Sequence, residues 1–169
     1  DQLETCFLQV WEVKTGRRVF YRDDSFAGGI WDLAFSRDGK HLAAAMGIYG
    51  DTEMNSGRVQ IWDSANWKLK HDLRGHTGSV WSVAFNESGT RLASASGDWT
   101  GKGLGQAKVW DVRTGLELLT FAEDKDPIFD IAFSPDSQRI STANRNGSIR
   151  VWNGAPLIQS LSYEPLPAE

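Results

Sequence analysis

Residues 101–105, GKGLG, set three glycines at alternate positions around Lys102, a composition that suits a loop wrapped on phosphate. A phosphate loop needs four residues between its first glycine and the glycine before the lysine, then a Ser or Thr hydroxyl for magnesium, then a helix N-terminus. Here Gly97 and Gly101 enclose only three residues, Gly103 follows the lysine, and the next segment reads as a strand. Nucleotide binding fails on spacing, leaving at most an unspecific anion nest. Asp51-x-Glu53-x-Asn55 opens like a calcium loop, but its glycine comes one place late, at Gly57. Trp62 stands where a bidentate glutamate is required. His41, His71, His76 and the single Cys6 do not group into a zinc set. The carboxylate pairs Asp23-Asp24 and Glu123-Asp124 lie in loop-like stretches and read as a solvated rim. The expectation is no catalytic residue, no metal and no cofactor.

The elements that would carry these residues are short. The chain has 169 residues, 40% apolar and 24% charged, with 8 Trp and 17 Gly against 5 Pro. That balance describes a globular chain of many strands joined by tight turns. A net charge of −4 argues against broad nucleic-acid or acidic-membrane binding. No apolar run is long enough for a membrane-spanning helix, and no signal peptide is evident. The expected location is the cytoplasm. One cysteine excludes an intrachain disulfide. The first residue is Asp and not Met, which points to a fragment or processed product.

Repeats organise the whole chain. QVWEV (9–13), QIWDS (60–64), KVWDV (108–112) and RVWNG (150–154) each hold a tryptophan: Trp11, Trp62, Trp110 and Trp152. Between them recur IWDLAFSRDG (30–39), VWSVAFNESG (80–89) and IFDIAFSPDS (128–137), followed by HLAAA (41–45), RLASA (91–95) and RISTA (139–143). Each run is apolar and bounded by turn chemistry, as strands are. A fourth strand is expected at RRVFY (17–21), WKLKHDL (67–73), LELLTF (116–121) and LIQSLSY (157–163). Alternation places Val80, Ser82 and Ala84 on one face of the inner strand, with Trp81, Val83 and Phe85 on the other. The sheets are apolar on both faces and need covering on both. The sequence thus predicts an all-β partial propeller of four-stranded antiparallel blades. Residues 1–24 supply the last two strands of a preceding blade, 25–74, 75–121 and 122–163 form three full blades, and 164–169 form a tail. A plain antiparallel sandwich would not explain the fixed phase of the Trp, turn and Ala-Phe elements.

The residues Gly75-His76, SVWSVAF, NESG, LASAS, Asp98 and KVWD resemble one complete WD40 repeat, and the resemblance extends over essentially the whole chain. It implies a buried hydrogen-bonded set of His76, Ser94, Asp98 and Trp110. In the last repeat Thr142, Asn146 and Trp152 correspond, with Asp124 in the place of the histidine. In the first repeat Phe26 stands in that place and Ala43 replaces the serine. The resemblance also implies docking surfaces without chemistry, and a ring of about seven blades. The remaining blades would come from a parent chain, another fragment or a second copy. The tail GAPLIQSLSYEPLPAE resembles the segment after the last blade in some bacterial members.

From Ala143 to Trp152 is nine residues, but the same interval is fifteen from Ala95 to Trp110 and seventeen from Ala45 to Trp62. GIYGDTEMNSG (47–57) and GDWTGKGLGQ (97–106) are therefore insertions in equivalent hairpins of adjacent blades, the glycines of the second suited to sharp or left-handed turns. Tyr49, Asp51, Glu53, Trp99 and Lys102 on these loops, with Asp124 and Asp126 beside them, form the candidate partner-binding rim. Its acidic balance favours a protein or peptide of basic character. Trp31, Trp81 and Phe129 recur at one site and either fill gaps between blades or offer an aromatic patch, while Asp32, Ser82 and Asp130 point the other way. Two further readings stay open. One is an enzyme or small-ligand or ion-binding propeller with its site at the central channel. The other is a structural spacer in a larger assembly.

Overall fold

Short strands separated by polar turns, most of them of four or five residues, fold back on themselves, and the turns at the ends of the inner strands are closed by their own side chains. In the computed structural model, which describes residues 5–48, 57–100, 103–123 and 126–153, the Ser36 hydroxyl accepts from the His41 N–H at 3.0 Å and donates to Asp38 at 2.7 Å. Asn86 Oδ1 accepts from the Arg91 N–H at 2.9 Å, and Ser134 Oγ from the Arg139 N–H at 2.9 Å. The Ser36 hydroxyl and the Lys40 amide hold the Asp38 carboxyl down at about 2.

The hairpins assemble into sheets of consecutive strands. β1 (Thr5–Glu12) and β2 (Arg17–Ala27) form a two-stranded sheet. β3 (Gly29–Phe35), β4 (His41–Gly47), β5 (Arg58–Asp63) and β6 (Leu69–Arg74) form the first complete blade. β7 (Val80–Phe85), β8 (Arg91–Ser96), β9 (Gly105–Asp111) and β10 (Glu117–Glu123) form the second. β11 (Ile128–Phe133), β12 (Arg139–Asn144) and β13 (Ile149–Asn153) form the fourth sheet among the described residues. Its expected fourth strand, 157–163, and the tail 164–169 lie outside the described residues. The sheets end at Ala27, Arg74 and Glu123, so the divisions placed after residues 24 and 121 fall inside β2 and β10, whose pairing continues to the rim.

Each gap between sheets holds one apolar cluster. Leu8 of β1 packs with Leu42, Ala44, Met46 and Trp62 of the first blade. Ala43, Ala45, Val59 and Ile61 of that blade pack with Val80, Val83, Leu92 and Trp110 of the second. Ala93, Ala95, Ala107 and Val109 then meet Ile128, Ile131, Ile140 and Trp152. The small residues of each second strand let the next blade's tryptophan and inner strand approach closely.

The inner strands depart from simple alternation. A register shift separates Ile30 from Asp32, Val80 from Ser82 and Ile128 from Asp130, so Trp31, Trp81 and Phe129 each sit in a β-bulge. Val80 and Val83 therefore share the cluster against the first blade, and Ala84 packs toward the third. That corrects the expected face of Val80, Ser82 and Ala84.

The equivalent turns place Gly39 at φ 69° and Gly89 at φ 67°, but Ser137 at φ 57°. A side chain in the left-handed region costs about 1–2 kcal/mol, partly offset by the backbone freedom that glycine loses on folding. Ser137→Gly should stabilise the protein by several tenths to about 1 kcal/mol, read as a higher midpoint in urea unfolding.

Candidate functional site

The three bulges re-aim the aromatic residues toward one mouth of the inner side, where they meet across the blade boundaries. The Trp31 and Trp81 rings lie 5.1 Å apart, Trp81 and Phe129 5.9 Å apart. Each indole is anchored in its own blade: Trp31 Nε1 donates to the Gly47 carbonyl at 3.1 Å, Trp81 Nε1 to Gly97 at 2.8 Å. The rings both span the gaps and stay open to solvent, Trp31 being 39% exposed. Trp99, on the second insertion and 45% exposed, completes the row by stacking on Phe129 at 5.2 Å and meeting Trp81 edge-on at 6.3 Å.

Directly beyond the bulges the inner strands bring three polar side chains together. Ser82 Oγ lies 3.0 Å from Asp32 Oδ2 and 2.9 Å from Asp130 Oδ1. The backbone N–H groups of Val83, Leu33 and Ile131 also donate to these carboxylates. A hydroxyl has one proton, so with both carboxylates ionised it can donate to only one of them. The inner side of three blades thus carries concentrated negative charge beneath an aromatic row.

The second insertion is tied to the next blade. Arg145 Nη1 donates to the Trp99 carbonyl at 2.6 Å, and Arg145 Nε lies 3.8 Å from Asp126 Oδ1. Arg145 carries no local sequence signal, because its partners come from another blade. The glycines at the roots of this hairpin serve space rather than left-handed turns. A Cβ on Gly97 would stand 2.5 Å from Pro127 Cα, and one on Gly105 would fall on the Asp126 carbonyl oxygen. Neither residue has positive φ. Of the sequence-predicted rim residues, Trp99 and Asp126 come together here, with part of the Asp126 charge engaged by Arg145. Tyr49, Asp51, Glu53, Lys102 and Asp124 lie outside the described residues.

The buried polar set of the second blade is a directed chain. Trp110 Nε1 donates to Ser94 Oγ at 2.8 Å, and Ser94 Oγ lies 2.6 Å from His76 Nε2. His76 Nδ1 lies 2.6 Å from Ser96 Oγ, which donates to the Gln106 carbonyl at 3.3 Å. Every donor finds an acceptor if Ser94 gives its proton to Nε2 and the Nδ1–H goes to Ser96. Ser96, and not Asp98, therefore fills the fourth place. Alternate residues of a strand share a face, so Ser94 and Ser96 both look at the imidazole. Asp98 instead accepts from the Thr100 amide at 2.8 Å within the insertion. In the fourth sheet Trp152 Nε1 donates to Thr142 at 3.2 Å, while Asn146 accepts from the Ser148 amide and takes no part. In the first blade the serine's counterpart is Ala44, not Ala43: Ala44 pairs with Gln60 as Ser94 pairs with Lys108. With no hydroxyl there, Trp62 Nε1 and Gln60 Oε1 stay buried and find no hydrogen-bond partner among the described residues.

Among the described residues no group of three or more His, Cys, Asp or Glu side chains is placed to hold a metal ion.

The buried chain makes two outcomes measurable. Ala44→Ser should supply an acceptor to Trp62 and a donor to Gln60, raising stability by about 1 kcal/mol in denaturant unfolding. Burial, assisted by the Lys108 charge, pushes the His76 imidazole down from 6.5 to about 3. The unfolded chain therefore binds the proton first, so this contribution is complete above pH 6.5 and is lost as pH falls toward 3. Unfolding measured across that window should lose stability faster in the parent protein than in His76→Gln, by a few kcal/mol in all.

The family model of the WD domain, G-beta repeat, matches residues 20–63, 67–102 and 115–153. Coronin-7 of Bos taurus is 34% identical over 60 residues, 36% of this chain and 7% of that protein. WD repeat and SOCS box-containing protein 1 of Danio rerio is 38% identical over 55 residues, 32% of this chain and 13% of that protein. The solved structure of U3-55K superposes with a TM-score of 0.69 at 24% identity, covering 88% of this chain and 42% of its own. The Myceliophteria_thermophila Cps50 (Swd1) β-propeller domain gives 0.63 at 21% identity, covering 83% and 40%. The chain spans less than half of each of these proteins, and the likeness to the two solved structures concerns the fold. The tail's resemblance to bacterial members finds no support in these matches.

Proposed function

Because the chain belongs to the WD40 family of WD domain, G-beta repeat proteins, we propose that it is a non-catalytic protein-interaction module whose aromatic rim receives an extended, basic segment of a partner protein. The observation that carries this reading is the unbroken row Trp31–Trp81–Trp99–Phe129 across three blades. Large rigid rings at a partly exposed rim give contact area at small entropic cost, and tryptophan and arginine dominate binding energy at interfaces. Cations are held over aromatic faces by the ring quadrupole. Immediately below, the Ser82 hydroxyl lies between two carboxylates with one proton to give, and a lysine or arginine from the partner would supply the missing donors. By their place in the repeat, Tyr49, Asp51, Glu53, Lys102 and Asp124 belong to the same proposed surface. Rigid blades would present these groups without rearrangement, and no bond need be broken.

The test is titration of the protein with an extended arginine-rich peptide and with a glutamate-rich peptide of equal length, followed by tryptophan fluorescence. The basic peptide should bind, more weakly as salt rises. Trp99→Ala, and separately Asp32→Asn with Asp130→Asn, should each weaken binding about tenfold, near 1.4 kcal/mol. Equal binding of both peptides, or affinity indifferent to these variants, would overturn the reading.

A further inference from the structure

At the end of the blades opposite the aromatic rim, where β4 and β6 begin and β9 ends, a groove lies between the two complete blades. Lys40, His41 and Lys70 line it from the first blade, and Ser88, Thr90 and Arg113 from the second. Lys40 Nζ is 3.2 Å from Asp38, but among the described residues neither Lys70 nor Arg113 makes an ion pair.

Lys70 stands where the fold elsewhere puts an apolar side chain. It is the extra residue of the register shift between Ile61 and Trp62 in the β5–β6 pairing. The same shift in the second blade falls at Leu118, which packs against the apolar cluster of the next gap. Lys70 Nζ instead lies 3.3 Å from His41 Nε2. An ammonium has only donors, so Nε2 must accept and the ring proton stands on Nδ1. That nitrogen is buried and finds no acceptor among the described residues. Burial, with the Lys70 charge beside it, pushes the His41 imidazole below its usual range.

The facing wall adds donors as well. The Ser88 and Thr90 hydroxyls lie 2.8 Å apart, and both accept from Asn86 Nδ2, at 3.2 and 3.3 Å. Whichever hydroxyl donates to the other, one proton is left over. The two carboxylates of the groove are engaged by their own turns. Asp38 Oδ1 accepts from the Ser36 hydroxyl and the Lys40 amide, and Asp111 Oδ1 from the Thr114 amide and hydroxyl. At the next boundary the places of Lys40, Lys70 and Ser88 are taken by Thr90, Leu118 and Asp136, and only Arg91, in the place of His41, is cationic among them. The surplus of donors is particular to the first boundary.

We infer that this groove binds a phosphomonoester, with Lys70 and Arg113 clamping its oxygens from opposite walls and the spare hydroxyl of Ser88 or Thr90 donating a further bond. A carboxylate offers two oxygens in one plane. A phosphomonoester carries close to two charges and three acceptor oxygens in a tetrahedral array, which suits donors converging from two blades. Lys70 and Arg113 are exposed, so a phosphorylated side chain of a partner can reach them as a free phosphate can. The site is remote from the aromatic rim and does not depend on the function proposed for it.

The probe is a fluorescently labelled phosphoserine peptide with glycine and serine flanks, titrated with the full protein and followed by anisotropy. It should bind saturably, and its unphosphorylated form should not. Lys70→Leu, the residue type used by the second blade, combined with Arg113→Gln should leave circular dichroism unchanged and weaken binding at least about tenfold. The rim variant Trp99→Ala should bind as the parent does. Inorganic phosphate at constant ionic strength should displace the peptide. Displacement at concentrations near the peptide's own dissociation constant assigns the site to free phosphate, and displacement only far above it assigns the site to a phosphorylated side chain. Both results uphold the phosphoryl chemistry. Absence of saturation, equal binding of the unphosphorylated peptide, or affinity indifferent to the double variant would sink the proposal.

Discussion

A four-stranded sheet that is apolar on both faces cannot be stable alone, and every other feature of this protein follows from the need to cover two faces at once. The solution is repetition in one direction. Each blade offers small second-strand residues on one side and a third-strand tryptophan on the other, and the two kinds of face meet in the two gaps that follow the complete blades. Since each sheet touches only its neighbours, stability is a sum of nearly identical interfaces. The polar chain through His76 adds a second layer of specificity in one blade only. The last sheet keeps only the bond from Trp152 to Thr142, and in the first blade Trp62 finds no hydrogen-bond acceptor among the described residues and is held by packing.

The same stacking produces the aromatic rim. A bulge at one fixed position of each inner strand turns an aromatic side chain out of the sheet and toward its neighbours, and three copies placed side by side make a row. The residues just after the bulges turn inward and converge, which is why Asp32, Ser82 and Asp130 meet although they are about fifty residues apart in the chain. Only Trp99 is contributed by an enlarged loop. Both features are otherwise consequences of repeating one irregularity at constant phase.

The legible part of the chain was local. The turn side chains, the phase of the tryptophans and the failure of the phosphate-loop spacing depend on residues within a few positions of one another, and the blades followed from them. The bulges were not legible, because VWSVAF, apolar on both faces, passes for a regular buried strand until its partner's register is known. The fourth member of the histidine set was misplaced at Asp98 because the resemblance supplied a residue type, while strand geometry supplies Ser96. The one-residue slip from Ala44 to Ala43 is the same error in another blade. Arg145 could not have been found at all, since it matters only through a carbonyl and a carboxylate that folding brings to it.

The enlarged hairpin of the second blade has roots and a tip with opposite tolerances. Gly97 and Gly105 are wedged against Pro127 and Asp126, so any side chain at either root would prise two blades apart. Between them the chain already carries several residues beyond what the undecorated fourth sheet uses to make the same connection. Such a loop is a cassette: foreign sequence could be exchanged between two fixed glycine posts with the scaffold beneath left undisturbed. Natural divergence would be expected to run fastest in the same short window, and new binding specificities could arise there without any change to the blades that hold it.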